Sequence, residues 1–171
     1  MMGKFEKFAA AFVFVLMFAM AACAAGFPAV FPIFSSQTID GGDVSEYIFS
    51  GKELTMVNIW TTWCPPCVAE MPDLGKMGRS MPEGTQLIGI ILDAEGSGDA
   101  KTINAAKKIL AKAKADFVQI LPSKEMAPVL RTVSAIPTTI FVDSAGNIVG
   151  KPLVGARSEK TYRAEVEKRL K

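Results

Sequence analysis

The stretch that most constrains this chain is LTMVNIWTTWCPPC, residues 54–67. Residues 54–60 form a charge-free run rich in β-formers, the pattern of a strand buried on both faces. Two cysteines separated by two prolines follow almost at once. A Cys-x-x-Cys segment that leaves a strand and opens a helix puts its first thiol at the helix N-terminus, where free N–H groups and the helix dipole favour a thiolate. Cys64 is therefore the expected nucleophile. Cys67, one turn later and facing the protein, is placed to attack any mixed disulfide that Cys64 makes.

A cysteine pair can be a redox couple, a staple or half of a metal site. A zinc site needs about four ligands. The chain has 0 histidines and 3 cysteines, so there is no second pair and no imidazole, and no metal or cofactor is expected. The absence of histidine also removes Ser-His-Asp and Cys-His catalysis. A purely structural disulfide across so short a loop would constrain the unfolded chain very little. Redox chemistry is the reading that remains strongest. The net charge is only +2 with basic and acidic residues interleaved, so nothing resembles the basic stripe of a nucleic-acid binder.

With 171 residues and 50% hydrophobic content the chain is long and apolar enough for one domain plus appended sequence. Lys4 and Lys7 precede the apolar run of residues 8–22, which reads as an export segment or membrane anchor over residues 1–22. MAAC at 20–23 resembles a lipoprotein signal in which Cys23 would be acylated. Lipidation at Cys23, an uncleaved membrane span and cleavage to a soluble form are the three fates considered; each delivers the domain outside the cytoplasmic membrane. Loss or acylation of Cys23 leaves Cys64 and Cys67 as the only free thiols. Residues 23–34, broken by Gly26, Pro28 and Pro32, read as a tether, and residues 35–171 as the domain.

Within that domain Asp40, Gly41 and Gly42 mark a hairpin turn. A helix from about Pro66 carries Pro72 as an interior kink. Residues 86–92 read as a second buried strand, and the segment after it as an amphipathic helix with Ile103, Ala106, Ile109 and Leu110 on one face. A short strand at FVQIL and a short helix from Met126 to Thr132 follow. Two strands joined by a turn at 144–147 come next, then a closing helix capped by Ser158. The order predicts an α/β domain with a mixed central sheet covered on both faces.

From about Phe34 to Lys171 the chain resembles the TlpA/ResA-like branch of the thioredoxin superfamily, membrane-tethered thiol-disulfide oxidoreductases of the bacterial cell envelope. The resemblance is carried by VNIWTTWCPPC, by EMP at 70–72 and by AIPTTIFVDSAGNIV at 135–149. It implies a thioredoxin fold with mixed central sheet flanked by helices, an N-terminal β-hairpin and a helix-containing insertion. It also implies a cis Ile136-Pro137 bond beside the cysteines, turning Ile136's backbone groups toward an extended substrate. Trp63, Pro65, Ile136 and Pro137 are thus the expected substrate-facing residues. Cytosolic thioredoxins carry a proton-accepting Asp where this chain has Asn58. ResA-like proteins carry a Glu where this chain has Glu70, three residues after Cys67 and on the same helix face. Glu70, its pKa raised by partial burial, is the expected proton relay for Cys67; a plain surface Glu is the alternative. Trp60 is expected in the core and Trp63 shaping the site.

Pro65 and Pro66 offer no N–H and no charge to a Cys64 thiolate. A modestly lowered Cys64 pKa follows, with a reduction potential nearer thioredoxin's, about −270 mV, than DsbA's, about −120 mV. The chain is thus expected to reduce disulfides of exported proteins, apocytochrome c among them, with electrons from a transmembrane thiol carrier. Membrane anchoring through lipid or the N-terminal helix is part of the same expectation. The alternatives are a thiol peroxidase, an oxidase or isomerase, and a binding module without redox turnover. The Thr61-x-x-Cys64 spacing arises by chance within WTTWC.

Overall fold

The computed structural model of the chain describes residues 26–97 and 99–171. The export segment and Cys23 lie outside the described residues. Among the described residues no helix is long and apolar enough to cross a membrane.

Strands β1 (Ser35–Gln37) and β2 (Asp43–Ser45) form the antiparallel hairpin expected from the Asp-Gly-Gly turn. A five-stranded sheet follows, built from β3 (Leu54–Trp60), β4 (Thr85–Ile91), β5 (Val118–Ile120), β6 (Thr138–Asp143) and β7 (Leu153–Val154). Its order is β5-β4-β3-β6-β7, with β3, β4 and β5 parallel and β6 antiparallel to both neighbours. The helices are α1 (Pro65–Arg79), α2 (Ala100–Ala113), α3 (Ala127–Leu130) and α4 (Glu159–Arg169). This is the mixed α/β sheet that the element order implied, in the thioredoxin-like arrangement that the family resemblance implied.

Every residue of β3 is buried, which is why its sequence lacks the alternation of a half-exposed strand. The pleat still sorts its side chains. Leu54, Met56 and Trp60 pack with Met71, Leu74, Ala106, Leu110, Tyr162 and Val166, which places α1, α2 and α4 on one face. Val57 and Ile59 point to the other face, onto Phe31, Phe34, Phe49, Met126 and Val129. β3 is therefore the hub, and it delivers the cysteine segment from the middle of the sheet.

Two boundaries differ from the sequence reading. The tether expected over 23–34 is, from Phe27 onward, built into the domain. Phe31 N donates to Gly146 O, Ile148 N donates to Ala29 O, and Phe31 and Phe34 are buried edge-on against Phe49. The apolarity of that segment is core-forming, each aromatic ring burying on the order of 150–250 Å². The second strand after the 144–147 turn is also broken. Ile148 pairs only as an isolated bridge to Val142, and regular pairing resumes at β7. Gly150 takes φ +72° and Pro152 has no N–H to give a ladder, so the strand cannot run through.

α1 sits close to the end of α2. A Cβ built on Gly75 would lie 2.7 Å from Lys114 O and 3.1 Å from Ala113 O, both backbone atoms. Gly75→Ala should destabilise the protein by about 1–3 kcal/mol in urea unfolding, by forcing the two helices apart. Gly78→Ala, whose Cβ meets the Phe117 and Leu87 side chains at 3.5 and 3.6 Å, ordinary contact distances, should be neutral or slightly stabilising.

Candidate active site

The loop between β3 and α1 is fixed before the cysteines are reached. Trp60 is fully buried and its Nε1 donates to Gln119 Oε1 at 2.9 Å. Asp93 accepts from Thr62 N at 3.1 Å on each oxygen and from Thr62 Oγ1 at 2.6 Å. Cys64 then caps α1, with Pro65 and Pro66 opening the helix, where a missing N–H costs nothing.

Cys64 and Cys67 are joined as a disulfide. Cys67 is fully buried and Cys64 is 3% exposed. Cys67 N donates to Cys64 Sγ at 3.2 Å, the backbone donor that the two prolines leave available. Cys64 Sγ lies 3.8 Å from Ile136 O. A disulfide sulfur has no proton to give, so this is a contact that becomes a possible hydrogen bond on reduction. Ile136-Pro137 is cis. The loop is pinned after it, by Gly155 N donating to Pro137 O and by Thr138 Oγ1 donating to Ala135 O. Trp63, whose side chain is 69% exposed, and Ile136 border a groove beside Cys64, and Pro65 is exposed at the helix start.

Glu70 is not a surface residue: only 3% of it is exposed. Asn58 Nδ2 donates to its Oε1 at 3.0 Å, while Tyr162 OH and Arg157 N donate to its Oε2 at 2.8 and 3.0 Å. Asn58 Nδ2 also donates to Thr139 Oγ1 at 3.1 Å, and Thr139 Oγ1 to Tyr162 OH at 3.4 Å. Four side chains from β3, α1, α4 and β6 thus close a buried ring. Burial raises the Glu70 pKa above its ordinary 4.5; the three donors and the nearby Arg157 charge hold that rise back. Burial and the adjacent Glu70 charge likewise push the Tyr162 phenol upward.

Tyr162, Thr139 and Arg157 were not found from sequence. Tyr162 lies on the buried face of α4 with Val166, a helical spacing that reads only as packing. Asn58 was noted as unable to accept a proton; here it donates to the residue that can. Among the described residues no group of three or more His, Cys, Asp or Glu side chains is placed to hold a metal ion.

Comparison with known proteins agrees with this geometry. The family described as Redoxin matches residues 25–168. Sporulation thiol-disulfide oxidoreductase A of Bacillus subtilis is 27% identical over 122 residues, covering 71% of this chain and 70% of its own. The thiol:disulfide interchange protein DsbE of Haemophilus influenzae is 40% identical over 119 residues, covering 67% of this chain and 58% of its own. A thiol:disulfide interchange protein of Chlorobium tepidum superimposes with a TM-score of 0.67 at 26% identity, over 84% of this chain and 97% of that one.

The raised Glu70 pKa has a sign that can be checked. A folded state that holds its proton above the unfolded value of 4.5 binds more protons than the unfolded chain as pH rises past 4.5. The stability Glu70 contributes is therefore complete below pH 4.5 and is lost as pH climbs through its folded pKa. Urea unfolding of the oxidised protein should show wild type losing stability relative to Glu70→Gln across that window. Parallel curves would mean that Glu70 has no elevated pKa.

Proposed function

The chain belongs to the redoxin family and is a thiol-disulfide oxidoreductase of the TlpA/ResA/DsbE type; from that premise we propose that it reduces disulfides of exported proteins outside the cytoplasmic membrane. The observation that carries the reading is the bonded Cys64–Cys67 pair one helical turn ahead of the buried Glu70 carboxylate. This is the oxidised end of a two-electron cycle.

In the reduced enzyme Cys64, at the N-terminus of α1, is the thiolate that attacks a substrate disulfide sulfur. A substrate thiolate leaves and takes a proton from solvent. Cys67 then gives its proton to Glu70 and attacks Cys64 Sγ in the mixed disulfide. The second substrate thiolate departs, and the Cys64–Cys67 disulfide remains to be reduced by a donor dithiol. Trp63, Pro65, Ile136 and Pro137 border the path by which an extended substrate reaches Cys64.

The direction of exchange is supported by the donor count at Cys64. Two prolines withhold their N–H groups, and the thiolate is left with the Cys67 N–H and the helix dipole. A weakly stabilised thiolate is a readier electron donor than a strongly stabilised one, so the protein acts as a reductant. The basic-then-apolar N-terminus supports export and membrane attachment, through Cys23 or the apolar run itself. A transmembrane thiol carrier is the fitting donor, and apocytochrome c the substrate suggested by resemblance.

Cys67→Ala should accumulate mixed disulfides on Cys64, and mass spectrometry of the trapped adducts should return exported cysteine-containing proteins. Absence of adducts, together with a fully functional Cys64→Ser variant, would point to a binding module. The relay has its own signature. Glu70→Gln should slow resolution of a preformed mixed disulfide on the order of 100-fold. It should also abolish the rise in rate as pH passes through the Glu70 pKa. An unchanged profile would remove Glu70 from the proton path.

A further inference from the structure

The groove beside Cys64 holds an unused charge. Thr61, Trp63, Leu92, Asp93, Ala135 and Ile136 contribute to its lining, and its volume is about 280 Å³. It opens next to the sulfur, because Trp63 precedes Cys64 and Ile136 O touches Cys64 Sγ. Its walls are mostly apolar, with polar side chains from Thr61, Asp93 and Ser134, of which Asp93 alone carries a charge. Asp93 makes no ion pair among the described residues, and all three of its side-chain hydrogen bonds come from Thr62. Its Oδ1 accepts only a shared N–H, so it keeps acceptor capacity. Thr61, 2% exposed, has a buried Oγ1 with no partner. The loop from Leu92 to Ala100 adds Glu95 and Asp99 to Asp93 and no basic residue.

Building on the reductase reading above, we propose that this groove selects disulfide substrates that carry a basic residue beside the attacked cysteine. The occupant is an extended peptide segment. An apolar side chain seats between Trp63 and Leu92, and a lysine or arginine reaches Asp93. The same carboxylate repels acidic segments. Asp93 thus has two tasks: through Thr62 it positions the loop that presents Cys64, and through its free charge it sorts partners.

The test uses the full-length chain in detergent and three synthetic disulfide peptides. They differ only in bearing Lys, Glu or Gln next to the attacked cysteine. Wild type should show kcat/KM about 3–10-fold higher for the Lys peptide than for the Glu peptide at low salt, the range of a partly exposed ion pair plus the matching repulsion. That ratio should fall toward one as ionic strength approaches about 1 M, where the screening length is about 3 Å. Asp93→Asn keeps groups able to bond Thr62 but removes the charge, and should bring the ratio near one; Asp93→Lys should invert it. A ratio of one in wild type, a ratio unmoved by salt, or a ratio retained in Asp93→Asn overturns the proposal. A wild-type chain that reduces none of the three peptides overturns the reductase reading itself, an outcome distinct from equal reduction of all three. Because ratios are compared, a general loss of activity in a variant does not imitate the result, and the salt series needs no variant.

Discussion

A carboxylate withdrawn from water must have its charge met by donors, and at Glu70 the donors come from elements distant in sequence. Asn58 reaches it from the central strand, Tyr162 from the last helix and the Arg157 amide from the segment before that helix. Desolvating a lone carboxylate would cost several kcal/mol even after relaxation, so these elements cannot drift apart without exposing or orphaning the charge. The apolar contacts around it, from Met56, Met71, Leu74 and Val166, are numerous but tolerant of exchange. The polar ring is specific: it fixes the register of α1 on β3 and the rotation of α4 about its axis. The same constraint holds Cys67 in place, since it lies one turn from Glu70 on the face turned to the sheet.

The strand-to-helix junction solves a second problem. A nucleophilic sulfur needs donors, yet a strongly stabilised thiolate would make the disulfide too oxidising for the reductant role proposed above. Pro65 and Pro66 fit the first turn, where helix N–H groups have no internal partner. They silence two of those groups at no structural cost and leave the Cys67 N–H pointing at Cys64. Asp93 and Gln119 restrain the strand end and the loop from outside, so the geometry does not depend on the donors the prolines removed.

Much of this was legible in the sequence. The apolar run at β3, the cysteine spacing, the amphipathic pattern of α2 and the Ser158 cap are local signals, and each element stands where its pattern placed it. What sequence could not supply was long-range pairing. Tyr162 looks like any buried aromatic until β6 and α4 bring it to Glu70, 92 residues away. Phe31 and Phe34 looked like tether because prolines flank them, whereas their partner Phe49 and the Gly146 turn make them core. The break before β7 is set by Gly150 and Pro152, which a reading of apolar periodicity alone passes over.

Asn58 shows why the polar ring takes the form it does. Its amide nitrogen lies 3.0 Å from Glu70 Oε1. An aspartate there would set two carboxylates against one another in a buried site, and like charges that close cannot both ionise; one pKa would rise far and the pair would titrate as a unit. With the acid carried by α1, the strand position must donate, and an amide of the same shape does so. It binds Glu70 with one hydrogen and Thr139 with the other, while its Oδ1 stays buried without a partner. The site therefore holds one ionisable carboxylate rather than two, carried on α1 three residues after Cys67. Moving the acid from strand to helix and placing an amide opposite it are two halves of one electrostatic arrangement.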